Sequence, residues 1–413
     1  MEENSYDSSN STTQIQILGP VFKFGGTSLG SVERIEHVAN LCLKLKPSAV
    51  VVSAMSGETN RLVAMANEIS TKNDVPEYDM LVASGEQVSV SLLSLALRKR
   101  GIEPAPMLAP TAGILTDSQF SKASILKVKG DAIQAAIAKG HLPIIAGFQG
   151  VTEDGRLTSL GRGGSDTSAV AIAAGIGAKE CIIYTDVDGV FTTDPRICPD
   201  ARIIRSIHYE EMLEMASQGS KVLHIRSVQL AAKWGIRLVV RNSFSNDEGT
   251  EMSTKDTPIE GEVVSGVAAT QNEAWIQAGA TKNPQFHLAS VFSELAEKKI
   301  NVDIITQSYE DAGTKINFTV AENDAPLAIE TLKTRFPQSP LSFRNDVAKI
   351  SIVGVGMRTH AGVAARMFQV LAAQNIEILL VTTSEIKVGC LIPREKLKQA
   401  VQVLHKEFLS LRL

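Results

Sequence analysis

In Lys23-Phe24-Gly25-Gly26-Thr27-Ser28 a lysine stands two residues ahead of a glycine pair. Glycines let backbone N–H groups come close to an anion, and a following helix N-terminus adds a favourable dipole. Lys23 would bring a full positive charge to the same point, so the set suits a phosphate. A plain glycine turn with a surface lysine is the other reading, because Gly-Gly turns are common. The chain has no G-x-x-x-x-G-K-[ST], which excludes a P-loop enzyme, and no G-x-G-x-x-G after its first strand, which weakens a dinucleotide reading. A second cluster, LTSLGRGGSDTSAVAIAAG (157–175), places Arg162 before Gly163-Gly164 and opens a small-residue helix with Ser165-Asp166. Arginine is the side chain for bidentate carboxylate binding. Asp is also a favoured helix cap, but a cap does not account for four glycines and an arginine. A third stretch, YTDVDGVFTTDPR (184–196), carries Asp186, Asp188 and Asp194 among turn residues. Acidic loops are often solvated turns; at the carboxyl end of a parallel strand they lie where such sheets bind ligands.

These clusters need a scaffold, and the chain supplies one. AVVVSAM (49–55), LPIIAGFQG (142–150), ECIIYTDVDGV (180–190) and IRLVVRNSF (236–244) read as buried strands. SVERIEHVANLCLKL (31–45), EQVSVSLLSLALRKRG (86–101) and SDTSAVAIAAGIGA (165–178) read as helices. Apolar strands alternating with helices predict a mainly parallel sheet covered on both faces, an α/β domain. The 413 residues suffice for two or three domains with sizeable cores. A net charge of -4 without a basic block argues against nucleic acid. Four scattered cysteines lack metal or redox spacing, which predicts no metal site and a reducing, cytoplasmic setting. The acidic, polar start, residues 1–16, reads as a disordered tail rather than a signal peptide. No apolar stretch is expected to span a membrane.

After a polar linker at 245–262 the chain repeats itself. VFSELAEKKINVDIITQS (291–308) matches MFQVLAAQNIEILLVTTS (367–384) at an offset of 76, pairing Phe292 with Phe368, Leu295 with Leu371 and Ile300 with Ile376. Each copy is a helix running into a strand, with strands before and after and a second helix behind. Two βαββαβ copies predict two small ferredoxin-like domains, 263–341 and 342–413, paired sheet to sheet with a ligand crevice between modules.

KFGGTS, VVVSAMSGETN, SGEQ, AGFQG, LGRGGSDTSA, YTDVDGVFTTDPR and GSKVLHIRSV occur in order over residues 21–243. Together they resemble aspartate kinase of the amino acid kinase family, and the repeat resembles the tandem ACT domains that follow the kinase domain there. The resemblance implies a three-layer αβα kinase domain at 17–244. It implies transfer of the γ-phosphoryl of MgATP to the side-chain carboxylate of L-aspartate. The product, 4-phospho-L-aspartate, enters lysine, threonine and methionine synthesis. By resemblance, Lys23 and Asp166 are catalytic, and Thr59, Glu86, Arg162, Gly163, Gly164 and Ser165 hold aspartate. Arg162 would clamp the α-carboxylate and Glu86 would meet the ammonium group. Lys23, Phe24, Gly25, Gly26, Ser53, Thr185, Asp186, Phe191, Thr192, Thr193, Asp194, Pro195, Arg196 and Lys221 look like the ATP site, with Mg2+ carried by the nucleotide. Read without the family, Glu86 and Thr59 are helix-start residues, which are usually only caps.

The family's ACT pairs bind end-product amino acids, lysine or threonine, often between subunits of a homodimer or larger oligomer. Asn301, Asp303, Gln307, Glu377 and Ile378 are the matching effector candidates. The sequence departs from the family pattern at ATKNPQFH (280–287), which lacks the acid and glycine of the usual turn, and at Glu377, where an asparagine is common. Met252 lies in the linker, near where some relatives start a regulatory-only subunit. Two other readings compete: an acetylglutamate or glutamate kinase of the same fold, and a catalytically silent amino acid sensor.

Overall fold

The computed structural model describes residues 18–219, 222–253, 263–281, 286–311 and 313–410. The chain forms two compact units: residues up to Thr185 with 233–238, and Asp186–Ala232 with 239 onward. The N-terminal tail lies outside the described residues. The segment 186–232, grouped by sequence with the kinase domain, is compact with the C-terminal half.

The first unit opens with β1 (Val21–Phe24), α1 (Val32–Leu45), β2 (Ala49–Val52), α2 (Glu58–Ile69), α3 (Pro76–Val82) and α4 (Ser84–Arg98). It continues through β3 (Pro104–Met107), α5 (Ala109–Ala112), β4 (Ile114–Thr116), β5 (Ile125–Val128), α6 (Asp131–Ala138) and β6 (Leu142–Ala146). It closes with β7 (Gln149–Val151), β8 (Leu157–Ser159), α7 (Gly164–Ile176) and β9 (Glu180–Thr185). Five of these strands make the expected parallel sheet, in the order β9-β1-β2-β6-β3. β1, β2 and β6 are buried along their whole length, as continuous apolar runs require. A smaller sheet, β5-β4-β7-β8, splits the run read as one strand at 142–150 into β6 and β7. α7 is almost wholly buried; its alanines and glycine allow close packing, and Gly177 ends it in the left-handed conformation. The helical run Pro76–Arg98 is, against the sequence reading, long and apolar enough to cross a membrane by length and composition. More than half of its most apolar window, 56%, is buried inside the protein, as in a core helix.

The second unit begins with β10 (Ser206–His208) and α8 (Tyr209–Ser217); α9 (Ile225–Trp234) and β11 (Arg237–Asn242) run across the division. β12 (Thr250–Ser253) falls inside the stretch read as a linker and pairs in parallel with β10, burying Met252. The repeat then unfolds as β13 (Gly266–Thr281), α10 (Leu288–Glu297), β14 (Val302–Glu310), β15 (Gly313–Ala321), α11 (Ala325–Arg335) and β16 (Leu341–Val353). α12 (Val363–Ala373), β17 (Leu380–Thr383), β18 (Lys387–Pro393) and α13 (Leu397–Leu409) complete it.

The two modules are joined edge to edge in one sheet of order β14-β15-β13-β16-β18-β17, rather than sheet to sheet. β13 and β16 each serve both modules. Residues 275–278 of β13 face 341–344 of β16 in the first, while 266–270 face 349–353 in the second. The register shifts between Thr270 and Glu273 mark the junction. The second module thus takes its last strand from sequence that precedes the first. Each module has its own core, and the repeat occupies equivalent places: Leu295 and Leu371 are fully buried, and Phe292 and Phe368 pack against their respective clusters. All four cysteines are free and buried.

Candidate active site

Lys23 sits in the middle of β1, flanked by Phe22 and Phe24, which point into an aromatic stack with Tyr184. Strand alternation therefore sends Lys23 to the other face. There its Nζ pairs with Asp166 Oδ1 at 2.6 Å, and both side chains are about one-tenth exposed (11% and 12%). Asp166 lies in the first turn of α7, whose N-cap Gly163 has φ +70°, a conformation costly for a side chain with a Cβ. A dry pair of this kind is strongly coupled.

Beyond β1 the chain turns at Gly25-Gly26. Gly25 N–H donates to Tyr184 O at 3.2 Å, so Gly25 offers an approaching anion a bare α-carbon rather than a donor. A Cβ on Gly26 would stand 2.7 Å from Ala54 O, which only glycine avoids. Ala54 in turn donates its N–H to Glu86 Oε1 at 3.1 Å. Glu86 is 2% exposed, in the first turn of α4, and its second oxygen, Oε2, is buried with no hydrogen-bond partner among the described residues. Burial drives its carboxyl up to about 7, against the lowering effect of the Ala54 and Glu86 N–H groups. A carboxylate oxygen kept dry and unpartnered is costly unless a cationic ligand meets it.

Ser53 N donates to Phe24 O at 3.1 Å, holding the ends of β1 and β2 together. Thr59 is half-buried in the first turn of α2. Arg162 is exposed and has no ion-pair or hydrogen-bond partner among the described residues, while Gly164 and Ser165 after it are buried. The loop carrying Arg162 is anchored by a residue the sequence reading passed over. Asp79, fully buried in α3, accepts from Ser159 N and Oγ (both 2.7 Å) and from Ser121 N (3.0 Å). Burial raises the Asp79 carboxyl, and the Ser159 and Ser121 donors oppose that. Nothing in its local sequence, PEYDMLV, separates Asp79 from an ordinary helix acid.

The remaining sequence-predicted nucleotide residues follow β9. Thr185 ends that strand; Asp186 is exposed, and Asp188 accepts from Asn242 Nδ2 (2.7 Å) and Ser245 Oγ (3.0 Å). In the second unit, Phe191 bridges to Ile203, and Thr192 and Thr193 are buried. Asp194 and Arg196 form a bidentate pair, Arg196 Nη2 donating at 2.7 Å, which holds the Asp194 carboxyl below its usual range. Pro195 is exposed between them. Lys221 lies outside the described residues.

Of the effector candidates, Asn301 and Glu377 are exposed, and Ile378 packs against the second module's core. Gln307 donates to Tyr309 Oη at 3.2 Å. The carboxylate of Asp303 on β14 is bonded to Lys349 on β16, which also pairs with Glu273 on β13 at 3.4 Å. Lys349 is almost fully buried, a cation between two acids on one sheet face.

Comparison with known proteins agrees with this geometry. The amino acid kinase family model matches residues 20–242, and an ACT domain model matches 281–336 and 350–408. An aspartokinase of Pseudomonas aeruginosa is 45% identical over 94% of this chain and 97% of its own, and one of Helicobacter pylori is 44% identical over 93% and 98%. Escherichia coli aspartokinase III, solved with aspartate and ADP in its R-state, superposes with a TM-score of 0.80 at 26% identity, covering 95% of this chain and all of that one. The same enzyme with lysine and aspartate in its T-state gives 0.76 at 27% identity, with the same coverage. The chain belongs to the amino acid kinase family, as an aspartokinase with C-terminal ACT domains.

Proposed function

We propose that this chain phosphorylates the side-chain carboxylate of L-aspartate with MgATP. A bond forms from the carboxylate oxygen to the γ-phosphorus, and the bond from that phosphorus to the β,γ-bridging oxygen breaks. No proton has to move, because an aspartate side chain is already an anion at neutral pH. The difficulty is bringing that anion to a polyanion, so catalysis is positioning and charge neutralisation. Lys23 supplies the charge on the transferring group, and Asp166 fixes its ammonium. Arg162 takes the α-carboxylate, Glu86 the ammonium group, and Thr59 a further contact. Ser53, Gly25 and Gly26 border the nucleotide, and the loop from Thr185 to Arg196 contacts it. The observation that carries this reading is the buried Lys23–Asp166 pair together with the unpartnered Oε2 of Glu86.

Among the described residues no group of three or more His, Cys, Asp or Glu side chains is placed to hold a metal ion. On this reading magnesium is carried by the ATP phosphates, its usual position in phosphoryl transfer. Escherichia coli aspartokinase III, solved with lysine in its T-state, supports feedback by an end-product amino acid at the ACT pair. The open sheet edges β14 and β17, with Ile305 and Tyr309 exposed on β14, support a homodimer through these modules. The setting is cytoplasmic biosynthesis.

The test is ADP release with L-aspartate, L-glutamate and N-acetyl-L-glutamate, each with MgATP. Turnover with aspartate alone is expected. Turnover with a glutamate substrate instead would reassign the enzyme, and amino acid binding with no turnover would make it a sensor. Arg162→Ala should raise the aspartate KM by about 10- to 100-fold, the loss of one charged hydrogen-bond partner, with the ATP KM little changed. The reverse split would exchange the two site assignments.

A further inference from the structure

The loop from Val190 to Ile204 carries the candidate nucleotide residues, yet it is built into the core of the second ACT module. Cys198, 3% exposed, belongs to the same apolar cluster as Leu397, Val401 and Leu404 of α13, and Ile197 packs against it. Gln402 Nε2 on α13 donates to Ile197 O at 3.0 Å, and Arg202 donates to Leu409 O at the helix's end. Thr192 O accepts from Val267 N of β13 at 2.7 Å.

A further link joins two buried side chains. His405 of α13, 1% exposed, meets Thr192 Oγ1 through Nε2 at 2.9 Å. The same hydroxyl accepts from Arg202 N at 2.9 Å, across the turn that displays Asp194, Pro195 and Arg196. Thr192 therefore acts inward: its hydroxyl ties the two limbs of the loop to each other and to α13. The other ring nitrogen, Nδ1, is buried without a hydrogen-bond partner among the described residues. An imidazolium would strand a charged N–H there, whereas a neutral ring that donates from Nε2 to Thr192 leaves only a lone pair unmet. Burial and then Arg202 hold the ring below its ordinary pKa, with Asp200 opposing them. A buried histidine whose single side-chain partner among the described residues is a loop threonine is poorly explained by core filling alone, since a leucine would fill the space without orphaning a ring nitrogen.

We propose that His405 is a positioning residue for ATP: through Thr192 it fixes the loop that presents Asp194–Arg196, so that the last helix of the regulatory half sets nucleotide affinity. This rests on the reading of that loop as nucleotide-binding given above. The residue acts through Thr192 and touches no substrate.

The test uses the full chain with MgATP and L-aspartate, and calorimetric binding of MgADP as a second readout. His405→Leu should raise the ATP KM and the MgADP Kd about three- to tenfold, the worth of one net hydrogen bond, with aspartate KM and saturated kcat within about twofold. His405→Gln, which returns a polar group to the Nε2 side, should recover most of that affinity. Thr192→Val should raise the MgADP Kd to the same extent as His405→Leu, and the double variant should be no worse than either. Unchanged nucleotide affinity in both single variants, additive losses in the double, or aspartate and ATP KM rising together while thermal stability falls would each overturn the proposal. Should His405→Leu fail to fold, Thr192→Val and His405→Gln decide on the same two readouts. Arg196→Ala separates the layers. Weakened MgADP binding there, with none in the His405 variants, removes His405 and leaves the loop assignment standing. No change in any of them removes the loop assignment as well.

Discussion

At the scale of single residues, the decisive groups are charges that the fold keeps dry. Lys23→Ala should lower kcat by roughly a hundred- to a thousand-fold, the usual cost of one electrostatic donor to a transition state. It also leaves Asp166 buried without its partner, so a thermal melt must accompany the rate; a kcat near normal in a folded variant would remove Lys23 from the mechanism. Glu86 makes a sharper case, because its carboxyl titrates at about 7 rather than 4.5. The folded chain then holds a proton that the unfolded chain has released, so the contribution of Glu86 to stability falls as pH rises from about 4.5 to about 7 and is level above. Binding runs the other way. An ammonium ligand needs the carboxylate, so the aspartate KM should fall as pH climbs through about 7. Glu86→Gln should show a higher KM and a flat profile over that interval. A wild-type KM indifferent to pH between 6 and 8, assayed at about those limits, would detach Glu86 from the ammonium group. Motif spacing singled out Lys23, Arg162 and Asp166, and the fold brings Lys23 and Asp166 together. Spacing did not mark Asp79 or His405, because each works through partners distant in sequence, Ser121 and Ser159 for one and Thr192 for the other.

At the scale of elements, periodicity located the parallel strands well. β2, β6, β9 and β11 lie within the apolar runs that announced them, and α1, α4 and α7 begin within two residues of their expected starts. The failures share a cause. β12 is four residues long in a polar stretch, and its pairing with the strands beside it, β10 among them, makes it a strand. β13 and β16 could not be read as shared, since register across a junction depends on tertiary pairing, not on local pattern. The ion cluster on that shared sheet has a measurable consequence. Lys349→Met strips the cation from buried Glu273 and half-exposed Asp303, and should cost about 3–5 kcal/mol in chemical denaturation. Adding Glu273→Leu should recover most of it, because a buried pair replaced by apolar groups is often neutral. A loss below about 1 kcal/mol would class the cluster with surface ion pairs.

At the scale of the whole molecule, regulation requires that an effector favour one state over another, with a coupling of roughly 1–3 kcal/mol. Asp303 already holds Lys349, so an amino acid that recruits Asp303 must displace or share that ammonium. Asp303→Ala should therefore shift the response to lysine or threonine while leaving uninhibited kcat unchanged. Titrating both amino acids, singly and together, against the two proteins checks this; superimposable curves would remove Asp303 from the effector site. The shared strands also set an order of manufacture. The first half of β13 leaves the ribosome long before its partner, since residues 271–348 separate the two paired segments. At about 5–20 residues per second that gap lasts roughly 4–15 s. Throughout it Val267 and Ala268, buried in the finished protein, lack the strand that completes their sheet. A message truncated within that interval yields a chain whose second module cannot close, presenting an unpaired apolar strand to chaperones and proteases.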